Sequence, residues 1–408
     1  MITKGHLTAF FVAVAAKRLS AVEVDPARSH QHELNGVTEL RKLLGSTRAT
    51  IPAQFIWLGD EQEAVTDDGT LTWYDARENH PTRSEWRLYF PSNPVTEVAA
   101  AGDAIFLAKR TDRSVMLIVT PSGSTIEQQL LWLFALPDNI GPEFEPRPID
   151  DKDPRLDFAV RTILDELGIE PEEPDTSHLD ELLSSFSTFP TTREFSAAAR
   201  ASLADLDPIA RPDDTLLAWM DREEQLFRRL ERRIVAERLG AGFMAGDTAD
   251  VDGFIYFSLS VQNRRKARAG SALENHLNQL FSVHQLRFAR GAETENHNKP
   301  DFLFPGATEY HDPAFPSALL TMLGAKSTLK DRWRQVLAEA ARIADKHLLT
   351  LEAGISENQT EQMRANHLHL VVPAPLHATY KPHQQNNLMS VAQFIALINE
   401  RQAGARTS

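Results

Sequence analysis

The sequence predicts two domains, an N-terminal one built mainly of β-strands and a C-terminal one in which helices and strands alternate. Three observations carry this. Up to about Leu136, apolar residues fall in short runs parted by polar turns. Residues 143–181 then hold 14 acidic and 4 basic side chains, with several prolines among them. From Leu216 onward, long helical patterns alternate with short strand-like runs. With 408 residues, 42% of them hydrophobic, the chain can bury two or three cores.

In the first part, Phe55-Ile56-Trp57-Leu58, Leu71-Thr72-Trp73-Tyr74, Ile105-Phe106-Leu107 and Val115-Met116-Leu117-Ile118-Val119 read as strands. Asp67-Asp68-Gly69, Ser92-Asn93-Pro94 and Pro121-Ser122-Gly123 read as the turns between them. Such a series suggests a small barrel or sandwich. The opening apolar stretch ends in Lys17 and Arg18 without a clear cleavage site, so it reads as a buried strand or helix of a cytoplasmic protein. No run approaches the roughly 18 apolar residues of a membrane span. The absence of cysteine excludes disulfides, thiolate zinc sites and a cysteine nucleophile.

Pro142, Pro146, Pro148 and Pro154 mark a break, followed by a helix from Leu156 to Leu167 with Gly168 as its stop. The acidic stretch Glu170 to Ser177 reads as a linker. The expected division is residues 1–169, a linker at 170–184, and 185–408. The net charge of −14 argues against nucleic acid as a bulk property, but −10 of it sits in residues 143–181, and residues 260–345 hold 12 basic and 9 acidic side chains. A local patch is what meets phosphate.

In the second part, Leu216 to Leu239 is a long helical pattern. Ser271 is expected to open another helix, with Leu273, Leu277, Leu280 and Phe281 on one face. Strands are expected at Phe302–Phe304, Leu319–Leu323, Leu348–Leu351 and Leu368–Val372, and helices at Asp331–Lys346, Glu357–Ala365 and Val391–Glu400. That order is an α/β domain.

Asp301, Lys326 and Glu339 carry the chemistry. Hydrolysis of a phosphodiester needs a divalent metal held by carboxylates, which neutralises the phosphate and activates water. A lysine nearby can orient that water or stabilise the transition state. Asp301 and Lys326 each adjoin an apolar strand run, so adjacent strands could bring them together. Glu339 lies three residues after Val336 and four before Ile343, bordering a buried helical face. Taken singly, each has a plainer reading: a turn, a solvated strand end, a boundary salt bridge.

The stretches Asn263 to Gly270, Lys299 to Pro305, Tyr310-His311-Asp312, Lys330 to Gln335 and Leu370 to Pro373, in that order, closely resemble the EcoRII family of restriction endonucleases. Lys17 to Ser20, His30-Gln31 and Thr82 to Glu85 extend the resemblance more weakly into the first half. The resemblance implies a PD-(D/E)xK nuclease domain in rearranged form. Gly324 stands where the ordinary motif has an acid, and the missing carboxylate comes from the next helix. Asp301 and Glu339 are then metal ligands, Mg2+ the expected ion, Lys326 the catalytic lysine, and Tyr310 a further site residue. Glu274 is a candidate auxiliary acid, although Ser271-Ala272-Leu273-Glu274 also reads as a capping box.

By the same resemblance, Lys330, Asp331 and Arg332 read a C:G pair in the major groove. The chemistry suits this, since Arg and Lys donate to guanine O6 and N7 while Asp accepts from cytosine N4. Arg264, Arg265, Lys266 and Arg268 form the densest basic cluster and are expected just before a helix facing phosphate. Arg222, with Phe227 as packing partner, matches the position that holds a flipped base. The first domain corresponds to the family's DNA-binding pseudobarrel, with Arg18 and His30 on one loop and Arg83, Glu85, Trp86 and Arg87 on the other. Trp86 stands where the family pattern has a lysine. The implied activity is that of a type IIE enzyme: a homodimer cutting double-stranded DNA at CCWGG, with a second DNA copy as effector. The alternatives are a non-cleaving DNA-binding regulator and a nuclease of different or modified-DNA specificity.

Overall fold

The computed structural model describes residues 6–24, 33–150, 152, 158–169, 179–329 and 332–407. The chain divides into two compact units, Met1–Pro171 with Ala353–Thr360, and Glu172–Glu352 with Glu361–Ser408. The expected linker lies outside the described residues as far as residue 178. Its last part is not linker-like: Asp180–Leu183 is helical, and Leu179 and Leu183 sit in a core with Phe195, Leu226 and Leu230. Among the described residues, no helix is long and apolar enough to cross a membrane.

The first unit is built on one eight-stranded sheet. Its strands are β1 (Phe11–Arg18), β2 (Glu33–Asn35), β3 (Ala49–Trp57), β4 (Val65–Asp75), β5 (Trp86–Tyr89), β6 (Ala104–Arg110), β7 (Val115–Thr120) and β8 (Glu145–Pro148). The order is β2-β5-β4-β3-β7-β6-β1-β8, with β3 and β7 parallel and the other pairs antiparallel. Helix α1 (Thr125–Leu133) lies between β7 and β8, and α2 (Phe158–Glu166) follows β8. The opening apolar stretch is β1, between β6 and β8. Asp67-Asp68-Gly69 is not a turn: β4 runs straight through it, with Gly69 opposite Ala53. A Cβ at Gly69 would come 3.2 Å from the Phe55 ring, so the glycine serves close approach across the strands.

The second unit begins with helices α3 (Thr192–Ala201) and α4 (Pro212–Ala241). A small hairpin, β9 (Met244–Ala245) and β10 (Thr248–Ala249), leads into α5 (Val251–Val283). Strands β11 (Ala289–Arg290), β12 (Phe302–Phe304) and β13 (Thr321–Lys326) come next, then α6 (Trp333–Val336), β14 (Lys346–Thr350), α7 (Glu357–Ala365, of which the residues up to Thr360 are counted in the first unit), β15 (Leu368–Val371) and α8 (Val391–Thr407). The sheet order is β11-β12-β13-β14-β15, antiparallel as far as β13 and parallel beyond it. β14 is buried along its whole length, as a parallel strand covered on both faces should be. The rings of Phe281, Phe288, Phe302, Phe304 and Phe394 form one cluster that clamps α5 and α8 to the strands.

Two helix expectations are corrected. Ser271 does not open a helix, because α5 is continuous from Val251 and Asp250 is its cap. The capping-box reading of Glu274 falls with it. The helix expected over Asp331–Lys346 is a single turn. Beyond Val336 the amides of Leu337, Ala338 and Glu339 still bond to carbonyls three residues back, and the next two turn to side chains: Ala340 N to Thr294 Oγ1 at 3.4 Å and Ala341 N to Glu295 Oε2 at 3.0 Å. Ala340 turns to φ +50°. Side-chain acceptors have displaced the helical ladder.

Phe281 is fully buried and meets four aromatic rings. Phe281→Ala is expected to cost about 3–5 kcal/mol, read as a lowered urea midpoint of tryptophan fluorescence.

Candidate active site

Asp301 immediately precedes β12, and Lys326 ends β13. The pairing of Phe302 with Leu323 brings them side by side. Asp301 Oδ2 accepts from Lys326 Nζ at 2.9 Å and from the Ala325 amide at 2.7 Å. One carboxylate oxygen therefore ties two strand ends together.

Gly324 shares the strand face of Lys326, two residues away. A Cβ at position 324 would lie 3.0 Å from Val336 Cγ2 and 3.4 Å from Leu348 Cδ1. This face is filled by apolar packing from α6 and β14, and a carboxylate there has no room. The second acid arrives from beyond α6. Glu339 is half-buried, and its Oε2 is buried without a hydrogen-bond partner. Burial, reinforced by the charge of Asp301, pushes its carboxyl up to about 7, against the pull of Lys326 and Lys346. A buried, unpartnered carboxylate oxygen beside a second carboxylate is a cation-shaped deficit. Among the described residues, no group of three or more His, Asp or Glu side chains could hold a metal. The site offers two carboxylates and leaves the remaining coordination open, which suits Mg2+ with water and phosphate oxygens better than zinc.

Tyr310 is buried and donates from its hydroxyl to Glu295 Oε2 at 2.5 Å. Burial first, then this bond, pushes the phenol up to about 12. Burial raises Glu295 as well, but the Tyr310 hydroxyl and backbone amides outweigh it and hold the carboxyl below its ordinary value. Arg342 donates to the carbonyls of Tyr310, Asp312 and Phe315. Glu295, Tyr310 and Arg342 thus brace the segment that carries Glu339. Sequence reasoning missed Glu295 and Arg342, since no local pattern marks them.

Glu274 receives Arg290 Nη2 at 2.7 Å, so β11 supplies its partner. Lys330 and Asp331 lie outside the described residues. Arg332 is exposed at the start of α6, its guanidinium folded back on Thr328. The basic cluster does not precede a helix; it lies within α5. Arg264 is exposed and stacks over Phe189 at 4.2 Å, and Arg265 pairs with Glu231 at 2.5 Å. The Lys266 side chain lies outside the described residues. Arg268 is buried against Glu223 and Glu224 and over Phe227 at 4.3 Å, so it is a core cation with its charge already met. Arg222 is half-buried on α4, while Phe227 is buried beside a cavity of about 140 Å³ lined by Phe189, Phe195 and Arg264.

In the first unit, His30 lies outside the described residues. Arg18 pairs with Glu127 and Arg87 with Glu33 and Glu85. Arg83 is exposed. Trp86 is a packing residue that stacks on Trp73 with ring centroids 4.9 Å apart, which accounts for an indole at this place.

A family model described as "EcoRII C terminal" matches residues 227–395. The type II restriction enzyme EcoRII of Escherichia coli is 46% identical over 186 residues, 45% of this chain and 45% of that enzyme. The alignment therefore spans less than half of the relative's length. Among solved structures, metal-depleted Ecl18kI with uncleaved, modified DNA is 19% identical, with a TM-score of 0.45 over 56% of this chain and 83% of that one. A complex of the restriction endonuclease PspGI with substrate DNA is 14% identical, with a TM-score of 0.44 over 55% and 96%.

The raised carboxyl gives a stability test. Ionising Glu339 costs the folded state, so metal-free stability falls as pH rises from the ordinary 4.5 to about 7 and stays reduced above it. Glu339→Gln is expected to raise the Tm of the metal-free protein at pH 8 and leave it unchanged near pH 4. Added Mg2+ is expected to raise the wild-type Tm at pH 8 and to have a smaller effect on the variant.

Proposed function

The chain belongs to the EcoRII family through residues 227–395, and from that premise we propose that it is a type II restriction endonuclease. Its substrate is double-stranded DNA carrying a short site with CC and GG, CCWGG by the family resemblance. The observation that carries the reading is the joining of Asp301 to Lys326 beside the unpartnered carboxylate oxygen of Glu339. Asp301 and Glu339 would hold Mg2+, which when bound supplies positive charge to the scissile phosphate and lowers the pKa of the attacking water.

Every other part belongs to the chain. Lys326 is fixed by Asp301 and directs its ammonium protons at the attacking water or a phosphate oxygen, where charge develops. Asp301 orients that lysine and caps the end of β13 through the Ala325 amide. Glu295, Tyr310 and Arg342 act as positioning residues for Glu339. Arg332, with Lys330 and Asp331, reads base edges, and Arg264 meets phosphate. Arg222 holds an extruded base. Two copies are needed to cut both strands, since each chain carries one such site. The first unit binds a further DNA copy as effector, with Arg83 and His30 among its contacts. The cytoplasm is the compartment in which such an enzyme meets DNA.

Asp301→Ala is expected to abolish magnesium-dependent cleavage, and Lys326→Ala to slow it on the order of 10²–10³-fold. Both should leave DNA binding measurable in gel-shift assays. Near wild-type cutting by either variant overturns the assignment of that residue to the site, and no cutting by the wild type returns the chain to the reading of a non-cleaving binder.

Arg332→Ala is expected to lose about 1–3 kcal/mol of discrimination at one G:C position, read by competition with single-pair variants of the site. For the effector, a short duplex carrying the site is expected to speed cleavage of a one-site plasmid by the full chain. An unchanged initial rate counts against a second DNA-binding site.

A further inference from the structure

We propose that Lys346 is a positioning residue of the cutting site. From the start of β14 it holds the irregular segment that presents Glu339, so that a divalent cation finds the carboxylate already in place. The role rests on the nuclease reading above.

A lysine is seldom buried, because its charge loses water. Lys346 is nevertheless only 7% exposed. On the sheet, Leu348 stands opposite Gly324, and a Cβ at position 324 would meet both Leu348 and Val336. Lys346 precedes Leu348 by two residues and Lys326 follows Gly324 by two. Both lysines therefore lie on the sheet face that Val336 covers.

The two lysines are held differently. Lys326 is bound by a carboxylate, that of Asp301. The ammonium of Lys346 donates instead to two backbone carbonyls, Ala340 O at 3.2 Å and Ile343 O at 2.8 Å. Burial pulls its pKa below the ordinary value, against the opposing charges of Glu339 and Glu295. A buried cation spent on carbonyls of the segment that follows Glu339 fixes backbone there.

Ala340 shows what those bonds secure. Its amide donates to Thr294 Oγ1, and its carbonyl accepts from both Ile343 N and Lys346 Nζ. Its φ of +50° is one that a residue with a side chain keeps only when its surroundings impose it. Both peptides of Ala340 are thereby held, and the first of them is the one that joins it to Glu339. Thr294 and Glu295 take amides of this segment, and Lys346 takes carbonyls.

Charge and position make opposite predictions for Lys346. A positive charge near a cation site repels the cation, so losing the charge alone tightens Mg2+ binding. Losing the placement of Glu339 weakens it, because Mg2+ demands near-ideal geometry from its ligands.

Titration of the full chain with Mg2+, read as the rise in Tm, separates the two. The measurement is made at pH 9, above the value of about 7 for the Glu339 carboxyl. There Lys346→Met is expected to need severalfold more Mg2+ than the wild type for half of the rise, with an unchanged far-UV circular dichroism spectrum. An equal or smaller requirement overturns the proposal. In a Glu339→Gln background the same substitution is expected to leave the requirement where it was, since Lys346 acts through Glu339. A further increase there assigns Lys346 a general structural role and overturns the proposal as well. Should Lys346→Met fail to fold, Lys346→Gln, shorter and uncharged but still a donor, is measured in its place with the same expectation and the same overturning result. A wild type whose Tm ignores Mg2+ and that cuts no DNA removes the nuclease reading and this role with it. A wild type that responds to Mg2+, beside a folded Lys346 variant that responds equally, removes the role of Lys346 alone.

Discussion

Val336 packs against the backbone of Gly324, and the site is arranged around that contact. In the proposed site Lys326 lies two residues further along the same strand, where the ordinary motif would offer a carboxylate on the same face. Here that face is closed by a valine methyl 3.0 Å from where a Cβ would stand. The acid must therefore come from elsewhere in the chain, and the segment after α6 brings it. The cost is that Glu339 sits on irregular backbone, which cannot hold itself. Asn298, Thr294 and Glu295 supply acceptors and donors to residues 338–341, and Arg342 is pinned by three carbonyls. What a strand would have done with its own ladder, this protein does with side chains from residues 294–298 and carbonyls from residues 310–315.

The two carboxylates differ in a way that matters for chemistry. Asp301 is satisfied, with a lysine and an amide on one oxygen. Glu339 is half-buried with an oxygen that meets no donor, and burial together with the charge of Asp301 makes its ionisation costly. Such an arrangement stores an electrostatic deficit that a cation would relieve, and it keeps Lys326 from drifting into that space by binding it to Asp301 first. Leaving a buried charge unmet is destabilising on its own.

The distribution of arginine shows why a basic stretch is a poor measure of a DNA-binding face. Arg268, in the densest basic run, is spent inside the second unit on Glu223 and Glu224, and Arg265 is held by Glu231. Arg87 and Arg18 are likewise engaged within the first unit. Arg264, Arg332 and Arg83 remain exposed. Charge counted along the chain therefore overstates what can meet phosphate, because acids far away in sequence neutralise part of it.

Much of the architecture was legible in the order of residues. The buried strands β3, β6, β7, β12 and β14 appear as apolar runs, and the stripe of Leu273, Leu277, Leu280 and Phe281 is buried as its spacing requires. The succession Asp301, Lys326, Glu339 could be named because its spacing resembles that of the EcoRII family; taken singly, each residue has a plainer reading. What sequence could not decide are the points where a distant group wins. Ser271 carries a helix-start signature yet lies inside α5, because Arg290 takes Glu274 and Ser196 takes Asn275, so the helix stays packed through it. The pattern over Asp331–Lys346 is helical in period, yet only Trp333–Val336 forms an α-helical turn; three-residue bonds follow to Glu339, and acceptors from Thr294 and Glu295 claim the amides of Ala340 and Ala341. The bracing role of Tyr310 depends on Glu295 and Arg342, fifteen and thirty-two residues away. Periodicity reports which side chains share a face; which backbone groups find which partners is settled only when the chain is folded, because those bonds join residues that sequence keeps apart.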